Sequence, residues 1–124
     1  MNSETARGAR SAPGGFSVRK EELGGATVLS VTGEVDMATA PELEESIKTA
    51  LDRGPEALIV DLSGVSFLAS AGMSVLIGGN QLAGDRTEFR LVATGSATLR
   101  PMELTGIATT FSIHATRDQA LSGG

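Results

Sequence analysis

The amino-acid sequence predicts an α/β fold in which helices pack on a mixed β-sheet. Two β-prone runs near the start of the chain are separated by a pair of glycines, which indicates an antiparallel hairpin. Strand-like and helical segments then alternate, which is typical of largely parallel strands joined by about four helices. The length of 124 residues and the hydrophobic content of 40% suit one folded domain, which we expect over residues 15–122.

Composition argues against several classes of function. The net charge of -5 and the scattered basic residues disfavour nucleic-acid binding, which needs clustered Lys and Arg. The chain has no cysteine and one histidine, His114, so we expect no thiolate or multi-histidine metal site and no cofactor. No segment reaches the roughly 18 apolar residues of a membrane span, and no signal peptide is visible. We therefore expect a cytoplasmic protein that does not contact a membrane.

The amino-terminal stretch and the hairpin come first along the chain. Residues 1–14 are rich in Gly, Ala, Ser and Arg without apolar periodicity, which predicts a disordered tail, with a partner-binding arm as the alternative. Phe16–Leu23 and Ala26–Thr32 are the two predicted hairpin strands. Gly24 and Gly25 between them are expected to supply the positive φ angles of a tight turn.

The first helix is predicted to begin at Thr39, which has the spacing of a capping box with Glu42, and to stop at Gly54. Four apolar residues at helical spacing would face the sheet: Leu43, Ile47, Ala50 and Leu51. The run Ala57–Leu62 that follows reads ALIVDL, a short apolar run of the kind found in a central strand covered on both faces.

A second helix is predicted from Ala71 to Ala83 after a short loop. Gly78 and Gly79 each cost this helix roughly 1 kcal/mol relative to Ala, which predicts that a neighbour approaches its backbone closely. A strand is the first candidate for that neighbour, and a partner protein is the alternative. Leu82 lies on a side of the helix that we expect to be exposed.

The rest of the chain adds two strands and two helices. Glu88–Ala93 is the next predicted strand, and the third helix is expected to start near Thr98 or Leu99 because Pro101 is tolerated only in a first turn. Thr110–His114 is the last predicted strand. A second capping box, formed by Thr116 and Gln119, would open the last helix.

The carboxyl ends of parallel strands meet at one edge of a sheet, where ligands and partners usually bind. Three loops are expected there, at residues 33–38, 63–71 and 94–97. Glu34 and Asp36 lie in the first loop and Ser70 lies in the second, so we expect these side chains to be close together. Solvated loop carboxylates are the alternative interpretation of Glu34 and Asp36.

The segment at residues 60–79, VDLSGVSFLASAGMSVLIGG, resembles the signature of bacterial anti-sigma factor antagonists of the STAS family. In that signature a buried strand ending in Asp-Leu-Ser-Gly-Val leads to Phe-Leu, a regulatory serine and an apolar helix. The matching residues are Asp61, Leu62, Ser63, Gly64, Val65, Phe67, Leu68, Ser70 and Gly72. TGEVDMATAPEL at residues 32–43 and ELTGI at residues 103–107 extend the resemblance to roughly residues 16–121.

This resemblance implies the STAS fold and a non-enzymatic switch. The unmodified chain would bind an anti-sigma factor that is also a serine kinase and so free a sigma factor. Phosphorylation of Ser70 would end that binding, and a serine phosphatase would reset it. The kinase, not this chain, would bring ATP and magnesium. Ala69 departs from the family, because many members carry Asp there; this predicts slower modification, a different kinase or a tolerated variation.

The partner-binding surface is predicted around Ser70 and along the helix after it. Its expected residues are Glu34, Asp36, Ser63, Ala69, Ala71, Gly72, Met73 and Val75. Ser70 also has a purely structural interpretation as the N-cap of that helix, worth ~1 kcal/mol. The two roles are compatible, because the amides and dipole of a helix N-terminus also stabilise a phosphate.

Two other functions remain open on the sequence. One is a STAS scaffold or a transporter-associated regulatory subunit without a sigma-factor role. The other is an enzyme or nucleotide-binding protein, which the lack of a glycine-rich phosphate-binding motif disfavours.

Overall fold

The computed structural model describes residues 15–123, so the predicted tail lies outside the described residues. Strands and helices alternate in the predicted order. The strands are β1 (Ser17–Leu23), β2 (Ala26–Val35), β3 (Ala57–Leu68), β4 (Glu88–Val92) and β5 (Ser112–His114). The helices are α1 (Ala40–Asp52), α2 (Ser70–Ala83), α3 (Leu99–Leu104) and α4 (Arg117–Leu121), with a 3-10 turn at Ala108–Thr110.

The strands form one mixed sheet in the order β1-β2-β3-β4-β5. β1 and β2 pair antiparallel and every other neighbouring pair is parallel, which confirms the predicted hairpin and parallel strands. Only Gly24 of the hairpin glycines has a left-handed backbone, with φ at 65°. Gly25 is needed for another reason, because a Cβ there would lie 2.7 Å from the Glu56 carboxylate.

The two faces of the sheet are covered unequally, and the alternation of side chains along β3 shows this. Leu58 and Val60 belong to the main core under α1 and α2, whereas Ile59 packs with Ala120 of α4 on the opposite face. The predicted stripe of α1 is confirmed, since three of its members are fully buried and Leu51 is half-buried. α1 and α2 therefore form the thick layer of the domain, and the short α4 forms the thin one.

α4 is held against the sheet by Arg117. Its guanidinium donates from Nη1 to Glu21 Oε1 at 2.8 Å and from Nη2 to Ser30 Oγ at 2.6 Å. Its Nε lies 3.6 Å from Oδ2 of Asp61, a carboxylate that is only 8% exposed. One cation thus joins α4 to three strands and pairs the buried acid of the sheet.

β2 and β3 run further than the sequence predicted, and their extra length brings the end of β3 to the start of α2. The prediction ended them near Thr32 and Leu62, but they continue to Val35 and Leu68 and pair to their ends. Gly33 does not end β2, because its φ of 88° fits a register shift inside the strand pair. A Cβ at Gly33 would also lie 2.6 Å from the backbone of residues 15–16. As a result β3 leads straight into α2.

The two predicted capping boxes have opposite outcomes. The capping box predicted at Thr39 is wrong, since this side chain makes no cap hydrogen bond to α1. The box at Thr116 is confirmed, because its hydroxyl accepts from the Gln119 amide at 3.1 Å. α3 begins at Leu99, as Pro101 predicted.

Candidate functional site

Ser70 is the first residue of α2 and its side chain is exposed. The prediction that Ser70 is the N-cap is wrong, because Ala69 occupies that position with an extended backbone (φ -86°, ψ 171°). Ala69 remains extended since its amide still belongs to the sheet edge, donating to the Val35 carbonyl at 2.8 Å. The helix therefore starts one residue earlier than expected, and the serine hydroxyl is left outside the cap.

The first turn of α2 has unused hydrogen-bond donors. The Ala69 carbonyl accepts from the amides of Gly72 and Met73, at 3.0 and 3.1 Å. Within residues 15–123, the amides of Ser70 and Ala71 have no acceptor, and the methyl group of Ala69 cannot provide one. These amides and the positive end of the helix dipole favour an anion at this position.

A tight turn before α1 forms the neighbouring wall of the site. Asp36 Oδ1 accepts from the amides of Ala38 and Thr39, at 3.0 and 3.2 Å, and so caps the start of the helical region. The buried Thr39 hydroxyl accepts from the Asp36 amide and donates to the Glu34 carbonyl, both at 2.9 Å. Competition from these two backbone groups explains why Thr39 does not cap α1 as its pattern predicted.

A shallow depression of about 410 Å³ brings the two segments together. Its lining residues are Asp36, Met37, Ala69, Ser70, Ala71 and Ser74. The proximity of Asp36 to Ser70 expected from the sheet topology is present. Residues 94–97, the third loop expected here, contribute nothing to the lining. Among residues 15–123 no basic side chain lines the depression, and the charged residue that does line it is a carboxylate, Asp36.

Two exposed apolar side chains near this edge were missed by the sequence analysis. Met37 lines the depression and is 82% exposed, and Phe67 at the end of β3 is 52% exposed. Phe67 pairs in register with Glu34, which is itself exposed. The available signal was weak: Met37 stands between Asp36 and Ala38, but Phe67 precedes the buried Leu68, and only the fold shows that neither Met37 nor Phe67 reaches the core.

The remaining predicted partner-binding residues are divided between surface and interior. Gly72 and Met73 are buried against the sheet; a Cβ at Gly72 would lie 2.5 Å from Val35 Cγ1. Val75 is half-buried beside α1, outside the depression. Ser63 is exposed in the middle of β3, where its amide donates to the Asp61 carboxylate at 3.0 Å. Ser63 therefore lies along the sheet and not at the mouth of α2.

Gly78 and Gly79 have different surroundings. A Cβ at Gly79 would lie 3.0 Å from Ile47 Cγ2 and 3.1 Å from the Phe89 ring, so α1 and strand β4 both approach it. This confirms the predicted strand contact for Gly79. A Cβ at Gly78 would have no described atom within 4 Å, and the residue is exposed.

A family model described as the STAS domain matches residues 17–120. The chain belongs to the STAS domain family. The match covers every strand and nearly all of α4, and with it the depression around Ser70. The fold expected from the resemblance is thereby confirmed.

Proteins similar to this STAS domain include anti-sigma factor antagonists. The anti-sigma-F factor antagonist RsfB of Mycobacterium tuberculosis is 41% identical over 113 residues, covering 91% of this chain and 93% of the relative. The crystal structure of an anti-sigma factor antagonist from Mycobacterium paratuberculosis is 43% identical, with a TM-score of 0.85, and covers 92% of this chain and 97% of that one. SpoIIAA of Bacillus in its phosphorylated form shares the fold at 18% identity, with a TM-score of 0.65 over 86% of this chain and 97% of that one.

The described part of this STAS domain has neither a cluster of metal-ligating side chains nor a membrane-spanning helix. No group of three or more His, Cys, Asp or Glu side chains in residues 15–123 is arranged to hold a metal ion. Over the same residues, no helix is long and apolar enough to cross a bilayer.

Proposed function

We propose that this STAS domain is a cytoplasmic anti-sigma factor antagonist controlled by phosphorylation of Ser70. Its unmodified form binds an anti-sigma factor that has serine kinase activity, and so releases a sigma factor. The observation that carries the proposal is the exposed Ser70 hydroxyl at the first turn of α2, beside amides without acceptors. Two mycobacterial relatives, an anti-sigma-F factor antagonist and an anti-sigma factor antagonist, support the same class of partner.

The domain is built to tolerate a phosphate at Ser70. A phosphoserine carries about -1.5 to -2 charges and three acceptor oxygens at neutral pH. The unpaired amides of Ser70 and Ala71 can donate to those oxygens, and Ala69 offers no competing side-chain acceptor. Phosphorylation should therefore leave the fold intact and change only the surface.

A partner that covers this surface would not tolerate the same phosphate. Exposed Met37 offers apolar contact area beside Ser70, and a partner group packed there would desolvate the added charge. An acidic partner group would be repelled directly. A useful switch needs about a hundredfold to a thousandfold change in affinity, or roughly 3 to 4 kcal/mol, which one desolvated dianion can supply.

The predicted partner-binding residues take different parts in this proposal. The exposed Glu34 and the half-buried Asp36, Ala69, Ala71 and Val75 are proposed to contact the partner, and Met37 and Phe67 join them. Gly72 and Met73 support the first turn of α2 from beneath. Ser63 is proposed as an outlying contact along β3, because it is exposed.

Ala69 leaves no carboxylate next to the serine in sequence. Asp36 lines the same depression as Ser70 and is therefore the carboxylate that a kinase would meet there. In this proposal the chain performs no catalysis: it is the substrate of a kinase that supplies ATP and magnesium, and a serine phosphatase restores the binding form.

The test is phosphorylation by the cognate kinase. The purified chain with kinase and ATP should gain one phosphate, measured by intact mass and placed by peptide mapping. Ser70→Ala should abolish the gain, and Ser74→Ala is the matched control, since Ser74 lines the same depression one helical turn further on. A phosphate mapped to Ser63, Ser66 or Ser74 would contradict the site assignment.

A further inference from the structure

A groove runs between α1 and α2 on the outer side of the helical layer. It has a volume of about 350 Å³, and its walls come from both helices: Glu44, Ile47, Lys48, Ser74, Val75, Gly78, Gly79, Gln81 and Leu82. Leu82 is 51% exposed although it is a large apolar residue. The groove therefore leaves apolar surface open to water on the side of α2 that does not face the sheet.

This groove is continuous with the Ser70 depression. Ser74 lines both, and Leu82 at the other end also lines a further depression with Leu51 and Arg86. The connected surface follows α2 over its 14 residues, from Ser70 to Ala83. At ~1.5 Å per residue this is roughly 20 Å, the length of an amphipathic helix of about four turns.

Gly78 keeps the groove open. The neighbouring Gly79 is required by close packing against Ile47 and Phe89, but a Cβ at Gly78 would have no described atom within 4 Å. A helix-interior glycine without a packing need costs roughly 1 kcal/mol relative to Ala. Gly78 therefore serves a contact outside the described fold, in which another molecule approaches the α2 backbone closely.

Glu44 and Lys48, the two charged residues that line the groove, pair with each other, so the charge of α1 outside the groove indicates what a partner carries there. Four acidic residues of α1 are exposed, Glu42, Glu44, Glu45 and Asp52, against one basic residue, Lys48. Lys48 is already 3.6 Å from Glu44. The exposed face of α1 is therefore acidic, and it would favour Lys and Arg on a partner.

Neither the amino-terminal residues of this chain nor a second copy of the chain fits the groove well. Residues 1–14, MNSETARGARSAPG, hold one large apolar side chain, that of Met1, which is too little to fill an apolar groove along α2. A second copy would bring the same acidic α1 face and a further net charge of -5, so like charges would meet across the contact.

We propose that the groove receives an amphipathic helix of the anti-sigma factor, with its apolar side on Val75 and Leu82 and basic residues towards α1. The proposal rests on the proposed function and adds a second contact to it. Ser70 then controls one end of a long surface, and the groove supplies affinity that does not depend on the hydroxyl.

The test compares two substitutions at Gly78. Gly78→Phe fills the groove, whereas Gly78→Ala adds only a methyl group and so tests whether the effect grows with side-chain size. With purified cognate anti-sigma factor in calorimetry, Gly78→Phe should raise Kd by about tenfold or more, as removal of a central contact does. Gly78→Ala should raise Kd by a smaller factor, because a methyl group occupies less of the groove than a phenyl ring does. Leu82→Asp is a second variant on an exposed side chain, with Leu23→Asp on β1 as its control.

The outcomes separate this proposal from the proposed function. If the unsubstituted chain binds and Ser70→Asp weakens binding, but Gly78→Phe and Leu82→Asp do not, the groove proposal is overturned and the switch stands. If the unsubstituted chain does not bind at all, the proposed function fails and the groove loses its occupant. If the chain dimerises in solution and Gly78→Phe abolishes the dimer, the groove is a self-interface and the proposal is wrong.

Discussion

Gly72→Ala is expected to destabilise the domain relative to Gly78→Ala, although both place the same methyl group in α2. At Gly72 the new Cβ would lie 2.5 Å from Val35 Cγ1 and 2.8 Å from Leu68 Cδ1. Carbon atoms pack comfortably at roughly 3.5–4.0 Å, so the helix or the strand ends must move by about 1 Å. At Gly78 the Cβ would have no described neighbour within 4 Å.

The magnitude follows from two opposing effects. Replacing a helix-interior glycine by alanine stabilises by about 1 kcal/mol, and this gain is common to both variants. Overpacking a tight site costs about 1–3 kcal/mol, and this cost applies to Gly72 alone. Gly78→Ala should therefore be about 1 kcal/mol more stable than the parent, and the two variants should differ by about 1–3 kcal/mol.

Urea unfolding followed by far-UV circular dichroism measures this difference directly. In thermal unfolding the gap should be about 4 °C for each kcal/mol at this chain length. Equal stability of the two variants would refute the close contact of α2 with Val35, and with it the structural role assigned to Gly72.

Two further substitutions test other parts of the fold by urea unfolding. Thr39→Val removes the buried hydroxyl that joins two backbone groups at residues 34–36, and should cost about 1–3 kcal/mol; an unchanged midpoint would contradict that bridge. Arg117→Met leaves the buried carboxylate of Asp61 without its cation, and should cost about 1–3 kcal/mol. Its control, Lys20→Met, breaks an exposed ion pair and should cost about 0–1 kcal/mol; equal losses would show that the Asp61 pair is unimportant.

The order and type of the elements could be predicted because burial imposes its own period on the sequence. The apolar stripe of α1 and the continuous apolar run at the start of β3 each match their surroundings in the structure. The late start of α3 followed from the missing amide of Pro101. These features depend on short-range geometry, which is determined by residues close together in the sequence.

The lengths of β2 and β3 could not be predicted in the same way. Gly33 and Gly64 have the appearance of strand ends, but both lie within the paired strands at register shifts. A Cβ at Gly64 would lie 2.8 Å from Thr32 Cγ2 on the neighbouring strand. Such a requirement comes from a distant segment, so a glycine at this position looks locally like a turn.

The candidate site was predicted in part for a related reason. Ser70 and Asp36 could be brought together from topology alone, since parallel strands end at one edge. Whether Thr39 or Asp36 caps the region before α1 depended on competing acceptors that no short pattern contains. The exposure of Met37 and the burial of Met73 likewise follow from tertiary packing and not from residue type.

The measurement that tests the central claim most directly is the affinity of the cognate anti-sigma factor for the chain before and after phosphorylation of Ser70. Calorimetry on the two purified forms should show Kd rising by about a hundredfold to a thousandfold on modification, equivalent to roughly 3 to 4 kcal/mol. Circular dichroism of the two forms should be the same, because the first turn of α2 can accept the phosphate. Equal affinities for the two forms, with the phosphate mapped to Ser70, would contradict the account.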